Sequence, residues 1–256
     1  MYEDLSDIDR LENNIYSFYI KVASKSNRIV YIGDKLKWVN VYPSRWPNYA
    51  FDLNFEANGG DEVISFLKKE IRKGLAPNTL FIGPHSNSKG LGGILVKHGF
   101  TKALTWPGMI AKLDSIKDDL FKPGDLDIQV VKRKADLVSF VRILEQSMFG
   151  HGYIEYSLFE NLLSEDNIHF YLAKLNGKPI STSLIFQSSG IAGIYLVSTL
   201  PANRNCGFGT QITLASLLDA KRLGYHSAGL FATQLGQRVY SNIGFKTCCN
   251  FDIYVL

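Results

Sequence analysis

The chain has 256 residues, of which 46% are hydrophobic and 20% charged, a composition typical of a folded globular protein of one or two domains. Its net charge of +4 suits an anionic small ligand but lacks the clustering of a nucleic-acid-binding protein, so no nucleic-acid partner is expected. The chain does not open with a signal peptide, and no apolar run approaches the ~20 residues that cross a bilayer, so we expect a cytoplasmic protein without a membrane partner.

Cysteine and histidine give no sign of a metal site. The five histidines are scattered without the spacing of metal ligands. Cys248 and Cys249 are adjacent, and on a strand they would point to opposite faces, which disfavours a disulfide between them. We therefore predict no metal cofactor.

The first half of the chain contains a glycine loop before a helix. The loop reads Asn58-Gly59-Gly60-Asp61-Glu62, and the helix runs to about Arg72. Further along, Phe121-Lys122-Pro123-Gly124-Asp125 is a turn-rich break between two well-patterned halves. The break predicts two domains, 1–122 and 126–256.

The second half alternates strands and helices in the order β-α-α-β-β-β-α-β-α-β, which predicts a mixed α/β sheet with helices on its faces. The predicted elements are a strand Leu126–Val131, a helix Ala135–Met148, a short helix Ser157–Leu163 with Ser157 as N-cap, strands His169–Leu175, Ile180–Gln187 and Ile191–Thr199, a helix Gly209–Arg222 ending at Gly224, a strand Ser227–Ala232, a helix Gly236–Asn242 and a closing strand or pair Phe245–Leu256.

The two halves end alike, which suggests a weak internal repeat. Leu91-Gly92 and Gly99-Phe100 match Leu235-Gly236 and Gly244-Phe245, and Leu80-Phe81 matches Leu230-Phe231. Chance similarity of Gly-Phe turns is the alternative explanation.

The most informative segment is the glycine loop Arg204–Thr210, which follows the strand Ile194–Thr199 and opens directly into a helix. Unpaired amides at a helix start carry a partial positive charge and can bind a diphosphate. Gly207 and Gly209 let the backbone approach the phosphates, and Arg204 can add a charged contact. Ile212 stands where a dinucleotide fingerprint needs a small residue, and the loop lacks the lysine of a P-loop. Both alternatives, a dinucleotide oxidoreductase included, are disfavoured.

This loop resembles the Arg/Gln-x-x-Gly-x-Gly/Ala pattern of the GNAT superfamily of N-acetyltransferases. Tyr195–Pro201 matches the strand and proline before that pattern, and Ala232–Phe245 matches the family's short helix carrying Val-Tyr before Gly-Phe. The resemblance covers about Leu126–Leu256 and implies a GNAT-like acyl-CoA N-acyltransferase fold. With the repeat, it implies two tandem copies, the first degenerate.

The resemblance also implies a cofactor site, with acetyl-CoA as co-substrate. Backbone groups of Val197, Ser198 and Thr199 would face its pantetheine arm. The diphosphate would be enclosed by Asn205, Cys206, Gly207, Phe208, Gly209 and Thr210. Thr233 stands where many members have an asparagine that contacts the cofactor arm.

Tyr240 matches the family's general acid. A phenol can protonate the thiolate that leaves when a thioester is attacked. The implied reaction is direct transfer of an acetyl or other short acyl group to a primary amine of a small molecule or peptide. The alternatives are that Tyr240 only packs against the sheet, and that the chain is a non-catalytic CoA-binding regulatory or interaction module.

No general base is identified, because the strand Ala192–Thr199 carries no acid and Glu155 is only a distant candidate. The loop Phe149–Tyr153 is either a substrate-recognition loop or a plain surface loop.

The first half is not expected to catalyse transfer. Asp61 and Glu62 would repel a diphosphate, and Leu95 or Val96 stands in place of the tyrosine. Its expected role is to wall the acceptor pocket, with Trp38, Trp46, Tyr49 and Trp106 as candidates, although large aromatics are more often core residues.

Overall fold

The protein folds around one mixed sheet of eleven strands, as seen in a computed structural model that describes residues 5–55, 59–86 and 90–256. The strands are β1 (Ile29–Ile32), β2 (Lys37–Asn40), β3 (Tyr49–Phe51), β4 (Thr79–Ile82), β5 (Thr101–Lys112), β6 (Leu126–Val130), β7 (Ile168–Leu175), β8 (Lys178–Ser188), β9 (Ile191–Thr199), β10 (Ser227–Phe231) and β11 (Lys246–Val255). Their spatial order is β1-β2-β3-β4-β11-β5-β10-β9-β8-β7-β6.

Within the described ranges, seven α-helices cover the two faces of this sheet. They are α1 (Asp7–Lys25), α2 (Gly60–Arg72), α3 (Leu91–Lys97), α4 (Lys134–Leu144), α5 (Ser157–Glu160), α6 (Phe208–Arg222) and α7 (Gln234–Ile243). Alternate strand residues belong to different cores: Phe170 and Leu172 pack with α1, α4 and α5, whereas Tyr171 and Ala173 pack with α6 and α7. A third core joins α2 and α3 to the first-half strands. The α/β class and the second-half element order are as predicted.

Helix α1 spans the junction between the two halves. Ser6 caps it: the Ser6 hydroxyl accepts from the Asp9 amide (3.2 Å), and the Asp9 carboxylate accepts from the Ser6 amide (2.8 Å). Its buried side chains recur at helical spacing: Leu11, Ile15, Phe18, Tyr19 and Val22. The helix therefore lays one apolar face on strands of both halves.

The two halves exchange their last strands. First-half β5 lies between second-half strands β10 and β11, and β11 in turn lies between β4 and β5. Both exchanges have equivalent registers. In one exchange, Phe81 of β4 pairs with Ile253 of β11. In the other, Phe231 of β10 pairs with Gly108 of β5. Phe231 lies 150 positions after Phe81, and Gly108 lies 145 positions before Ile253. The predicted division into 1–122 and 126–256 stays a prediction, with the break lying between β5 and β6.

Three predicted local features are wrong. Tyr156, and not Ser157, is the N-cap of α5, which is a single turn. The helix predicted to Met148 is α-helical only to Leu144 and continues as a π-helical turn, Glu145–Phe149. Cys248 and Cys249 do not point to opposite faces, because β11 shifts register at Cys248 and brings the two sulfur atoms within 3.7 Å. Both thiols are free.

Candidate functional site

Strands β9 and β10 separate at the centre of the sheet. They pair in parallel only at Ala192–Ala228 and Gly193–Gly229, although β9 continues to Thr199. Beyond Gly193 the chain bulges, since Leu196 has a left-handed φ of 52° and the register with β8 shifts at this point. The result is a wedge between the two strands, and Val197, Ser198 and Thr199 lie beside it.

Some backbone groups of these three residues already have partners within the protein. The Ser198 carbonyl accepts from the Ser181 hydroxyl (2.6 Å), and the Thr199 carbonyl accepts from Arg204 Nε (3.2 Å). These bonds fix the end of β9 against its neighbours. The expected contact of the three residues with a pantetheine arm stays a prediction, supported by their position at the wedge.

The glycine loop ends at the N-terminus of α6. Asn205 and Gly207 both have left-handed backbones, with φ values of 62° and 79°. The first backbone bond of the helix runs from the Gln211 amide to the Gly207 carbonyl (3.1 Å), so the amides from Asn205 to Thr210 precede the helical ladder. No side chain caps this helix end. Successive amides are thus left available to an anion.

Arg204 holds the loop in place. Its Nε donates to the Thr199 carbonyl, and its Nη2 donates to the Ser147 carbonyl (2.8 Å). Two of its three nitrogens therefore bind the protein itself. The exposed Cys206 thiol donates to the Arg204 carbonyl (3.5 Å), and Phe208 packs against the core below α6. Direct contact of Arg204 with phosphate stays a prediction.

Helix α7 carries Tyr240 and begins at Thr233. The Thr233 hydroxyl accepts from the Gly236 amide (3.2 Å), so it acts as the N-cap of the helix. Tyr240 is buried against Phe245, whose ring centroid lies 5.9 Å away. Burial raises the pKa of Tyr240 above its ordinary value of 10, so the phenol holds its proton at neutral pH.

Glu155 and the loop Phe149–Tyr153 face the first half of the chain. Glu155 forms an ion pair with Arg28 (2.7 Å), and its amide donates to the Ser44 hydroxyl (2.8 Å). The Tyr153 carbonyl accepts from the Arg45 amide (2.8 Å), and the Arg45 guanidinium lies over the Tyr153 ring. Glu155 is thus a structural ion-pair partner, and the loop is anchored by the first half.

Of the four aromatic residues expected to wall an acceptor pocket, the structure places only Trp106 at an open groove. Trp38 is buried and stacks on Tyr31, and Trp46 is buried against Phe18 and Tyr19 of α1. Tyr49 packs against the same core. Trp38, Trp46 and Tyr49 are therefore core residues, because α1 and α2 cover them.

The groove beside Trp106, here called the β5–α7 groove, has a volume of about 810 Å³. It lies next to the end of β10, where the Ala232 amide donates to the Pro107 carbonyl (3.0 Å). Its lining comes from both halves of the chain: Ala103, Leu104, Thr105, Trp106 and Pro107 of β5, Thr233, Gln234, Leu235 and Gln237 at the start of α7, and Thr247 and Asn250 of β11.

The corresponding helix end in the first half carries its own negative charge. Asp61, in the first turn of α2, binds Lys97 (2.7 Å) and His98 (2.8 Å). Hydrogen bonds from Lys97 and then His98 lower the pKa of Asp61, which therefore stays ionised. Gly59, before the helix, is right-handed, and Asn58 lies outside the described residues. The Asp61 carboxylate therefore disfavours the binding of a further anion at this helix end.

Sequence reasoning missed the contact between α1 and the bulged strand. Asn14 is fully buried and lies over Gly193, where a Cβ atom would collide with the Asn14 amide. Its Oδ1 accepts from the Tyr195 hydroxyl, and its Nδ2 donates to carbonyls at the β8–β9 turn. The sequence feature that could have indicated this contact is a polar residue, Asn14, among the apolar residues on the buried face of α1.

Within residues 5–55, 59–86 and 90–256, no group of three or more His, Cys, Asp or Glu side chains is arranged to hold a metal ion. Among the helices of the same ranges, none combines the length and the apolar character needed to cross a bilayer.

Comparison with solved structures identifies the fold. A GCN5-related N-acetyltransferase from Kribbella flavida superposes with a TM-score of 0.74 at 17% identity, over 96% of this chain and 95% of that one. One from Sphaerobacter thermophilus gives a TM-score of 0.68 at 16% identity, over 88% and 81% of the two chains. A tandem GNAT protein from the clavulanic acid biosynthesis pathway gives 0.62 at 13% identity, over 86% and 78%.

No protein-family model matches the sequence, and no curated protein sequence matches it significantly. The chain therefore has the fold of the GCN5-related N-acetyltransferases, the GNAT superfamily, as the glycine loop and the Val-Tyr helix predicted.

Proposed function

We propose that this chain transfers an acetyl or other short acyl group from acetyl-CoA to a primary amine by direct attack. The observation that carries the proposal is the open N-terminus of α6 beside the wedge. Arg204 joins this loop to the end of β9, and a Cβ atom on Gly209 would lie 3.5 Å from the Thr199 hydroxyl. Amides that bind a diphosphate here would direct an attached arm along β9 into the wedge.

The charge around α6 favours an anion. From Ile191 to Leu218 the sequence contains no acidic residue, and its one charged side chain is Arg204. The helix dipole adds partial positive charge at the same end. A Cβ atom on Gly207 would meet no atom within 4 Å, so the left-handed turn opens into free space. This open space and the local positive charge support the proposed binding of a diphosphate by the loop.

Tyr240 is the proposed general acid. Acetyl-CoA supplies the thioester, whose carbonyl carbon the amine attacks as a thiolate leaves. The buried phenol retains its proton at neutral pH and can donate it to that thiolate, a step that contributes about 10²–10⁴-fold in rate. The base that accepts the amine proton is not assigned to a residue, since β9 carries no carboxylate.

We further propose that the two halves are tandem copies of one unit and that only the second is active. The equivalent registers of the exchanged strands support the repeat. The Asp61 carboxylate at the start of α2, and Leu95 in place of the tyrosine, support the loss of activity in the first copy. Its contribution would be β5 and the helix α1. A cytoplasmic location belongs to the same proposal and fits the three free thiols.

A second candidate is a CoA-binding module without turnover, which the missing carboxylate on β9 favours. Two measurements on the same preparation separate the candidates: calorimetric titration with CoA, and thiol release from acetyl-CoA across a panel of primary amines. Binding with amine-dependent release supports the enzyme. Binding without release for any amine supports the module, and no binding contradicts both.

A further inference from the structure

The β5–α7 groove combines apolar side chains with uncharged polar ones. Six of its lining residues are polar: Thr105, Thr233, Gln234, Gln237, Thr247 and Asn250. None of them carries a charge. The apolar part of the lining comes from Leu104, Trp106, Pro107 and Leu235, with Ala103. The volume of about 810 Å³ lies within the range of about 300–1,000 Å³ of small-molecule sites.

Two of the polar side chains are already engaged within the protein. The Thr105 hydroxyl donates to Asp252 (2.7 Å), and the Thr233 hydroxyl caps α7. The side-chain amides of Gln234, Gln237 and Asn250 make no hydrogen bond to any described residue, and all three residues are exposed. Each of these amides offers two donor hydrogens and an acceptor oxygen to a ligand.

The groove is continuous with the helix that carries the proposed acid. Gln237 and Tyr240 lie on α7 one turn apart, and Thr233 begins the same helix. A Cβ atom on Gly236, between these residues, would lie 2.9 Å from the Tyr240 ring. A ligand in the groove would therefore contact the helix that carries Tyr240.

We propose that the β5–α7 groove binds the acceptor of the transfer and that this acceptor is an amino sugar, a primary amine on a polyhydroxylated ring. The inference rests on the proposed acyltransferase function. Sugar hydroxyls both donate and accept, which matches free amides, and the C–H faces of a sugar ring match the apolar lining. A polycationic amine or a peptide rich in charge finds no charged partner in this lining.

The chemistry balances without a further reactant. The sugar amine nitrogen forms a bond to the acyl carbon as the carbon–sulfur bond breaks. The amine loses one proton and the thiolate gains one, so the products are an N-acyl amino sugar and free CoA.

The test compares 2-amino-2-deoxyglucose with cyclohexylamine, a primary amine on a similar ring without hydroxyls. Thiol release gives kcat and KM for both amines with the unaltered chain and with Gln237→Ala and Asn250→Ala. Asn242→Ala, an exposed amide on α7 outside the groove, is the matched control. Calorimetric titration with CoA is repeated on every variant.

We expect kcat/KM for the amino sugar to exceed that for cyclohexylamine by at least about 10²-fold, because groups built to bind hydroxyls discriminate strongly against analogues that lack them. Gln237→Ala and Asn250→Ala should each raise KM for the sugar by about tenfold. They should leave kcat and the CoA affinity close to those of Asn242→Ala.

Equal kcat/KM for the two amines, or groove variants that behave as Asn242→Ala, would overturn the inference and leave the acyltransferase proposal standing. Groove variants that weaken CoA binding would assign the groove to the cofactor and also overturn it. Absence of CoA binding in the unaltered chain would remove the acyltransferase proposal and the inference together.

Discussion

The hydroxyl of Tyr195 donates a 2.5 Å hydrogen bond to Oδ1 of Asn14, and this bond joins the first helix of the chain to the strand that bulges at the candidate site. Tyr195 immediately precedes Leu196, the left-handed residue of the bulge. Asn14 also donates to the carbonyls of Phe186 (3.2 Å) and Ser188 (2.9 Å). One buried amide thus fixes β8 and β9 against α1.

Asn14→Ala should lower the free energy of unfolding by about 2–3 kcal/mol, because it leaves the Tyr195 hydroxyl and buried carbonyls without a partner. Denaturant unfolding monitored by circular dichroism measures the change. Asn13→Ala, an exposed neighbour on the same helix, should stay within about 0.5 kcal/mol of the unaltered chain. Equal stabilities of the two variants would show that the Asn14 contacts contribute little.

Tyr240→Phe should lower kcat by about 10²–10⁴-fold, since the variant keeps the ring and loses the proton. The affinity for CoA should stay within about twofold, which calorimetry checks. Tyr31→Phe, a tyrosine of the first half that stacks on Trp38, serves as the control and should retain full activity. An unchanged rate for Tyr240→Phe would leave this residue with a packing role alone.

We expect His85 to make the stability of the protein depend on pH. Burial of the ring would lower its pKa, but hydrogen bonds and charges from Glu12 and then Asp9 outweigh burial and hold the pKa of His85 above its ordinary value of 6.5. A folded-state pKa that is raised contributes stability below the unfolded value and loses it as pH rises through the folded value. Unfolding free energies should therefore fall as pH rises above about 6.5.

Replacing His85 by Gln should flatten that dependence, measured by denaturant unfolding at several pH values. His151→Gln is the control, because the His151 side chain is 99% exposed. A pH profile of His85→Gln that matches the unaltered chain would place the dependence on other groups.

The exchanged strands predict that residues 126–256 alone do not form a stable domain. Without β5, the strands β10 and β11 lose the partner between them, and Leu11 no longer covers that face of the sheet. The isolated segment should show no cooperative unfolding transition, whereas the full chain should show one. A cooperative transition in the segment would support two independent domains.

Local signals in the sequence predicted most of the second half. Short apolar runs bounded by turns indicated β7, β8 and β9, and the glycine loop followed by an amphipathic run indicated α6. Capping and turn residues act over a few positions, so a single sequence reveals them. The same holds for Gly224, which follows α6 as predicted.

Features set by distant parts of the chain were not predictable in this way. The bulge at Leu196 depends on packing against α1 and β8, because leucine itself disfavours a left-handed backbone. The exchange of β5 and β11 depends on pairing between residues about 140 positions apart, which periodicity does not encode. A register shift in β11 likewise places the sulfur atom of Cys248 next to that of Cys249, whereas neighbouring side chains of a regular strand point to opposite faces.

The proposed acyl transfer requires that the amides at the start of α6 bind a diphosphate, and calorimetric titration of CoA into Asn205→Asp measures this binding. The substitution keeps size and tolerates the left-handed backbone while adding a negative charge to the loop. Affinity should fall by about tenfold at low salt. Asn176→Asp, another left-handed asparagine at the β7–β8 turn, should bind as the unaltered chain does. Equal CoA affinities for the two variants, or no binding by the unaltered chain, would show that these amides do not bind the diphosphate of CoA.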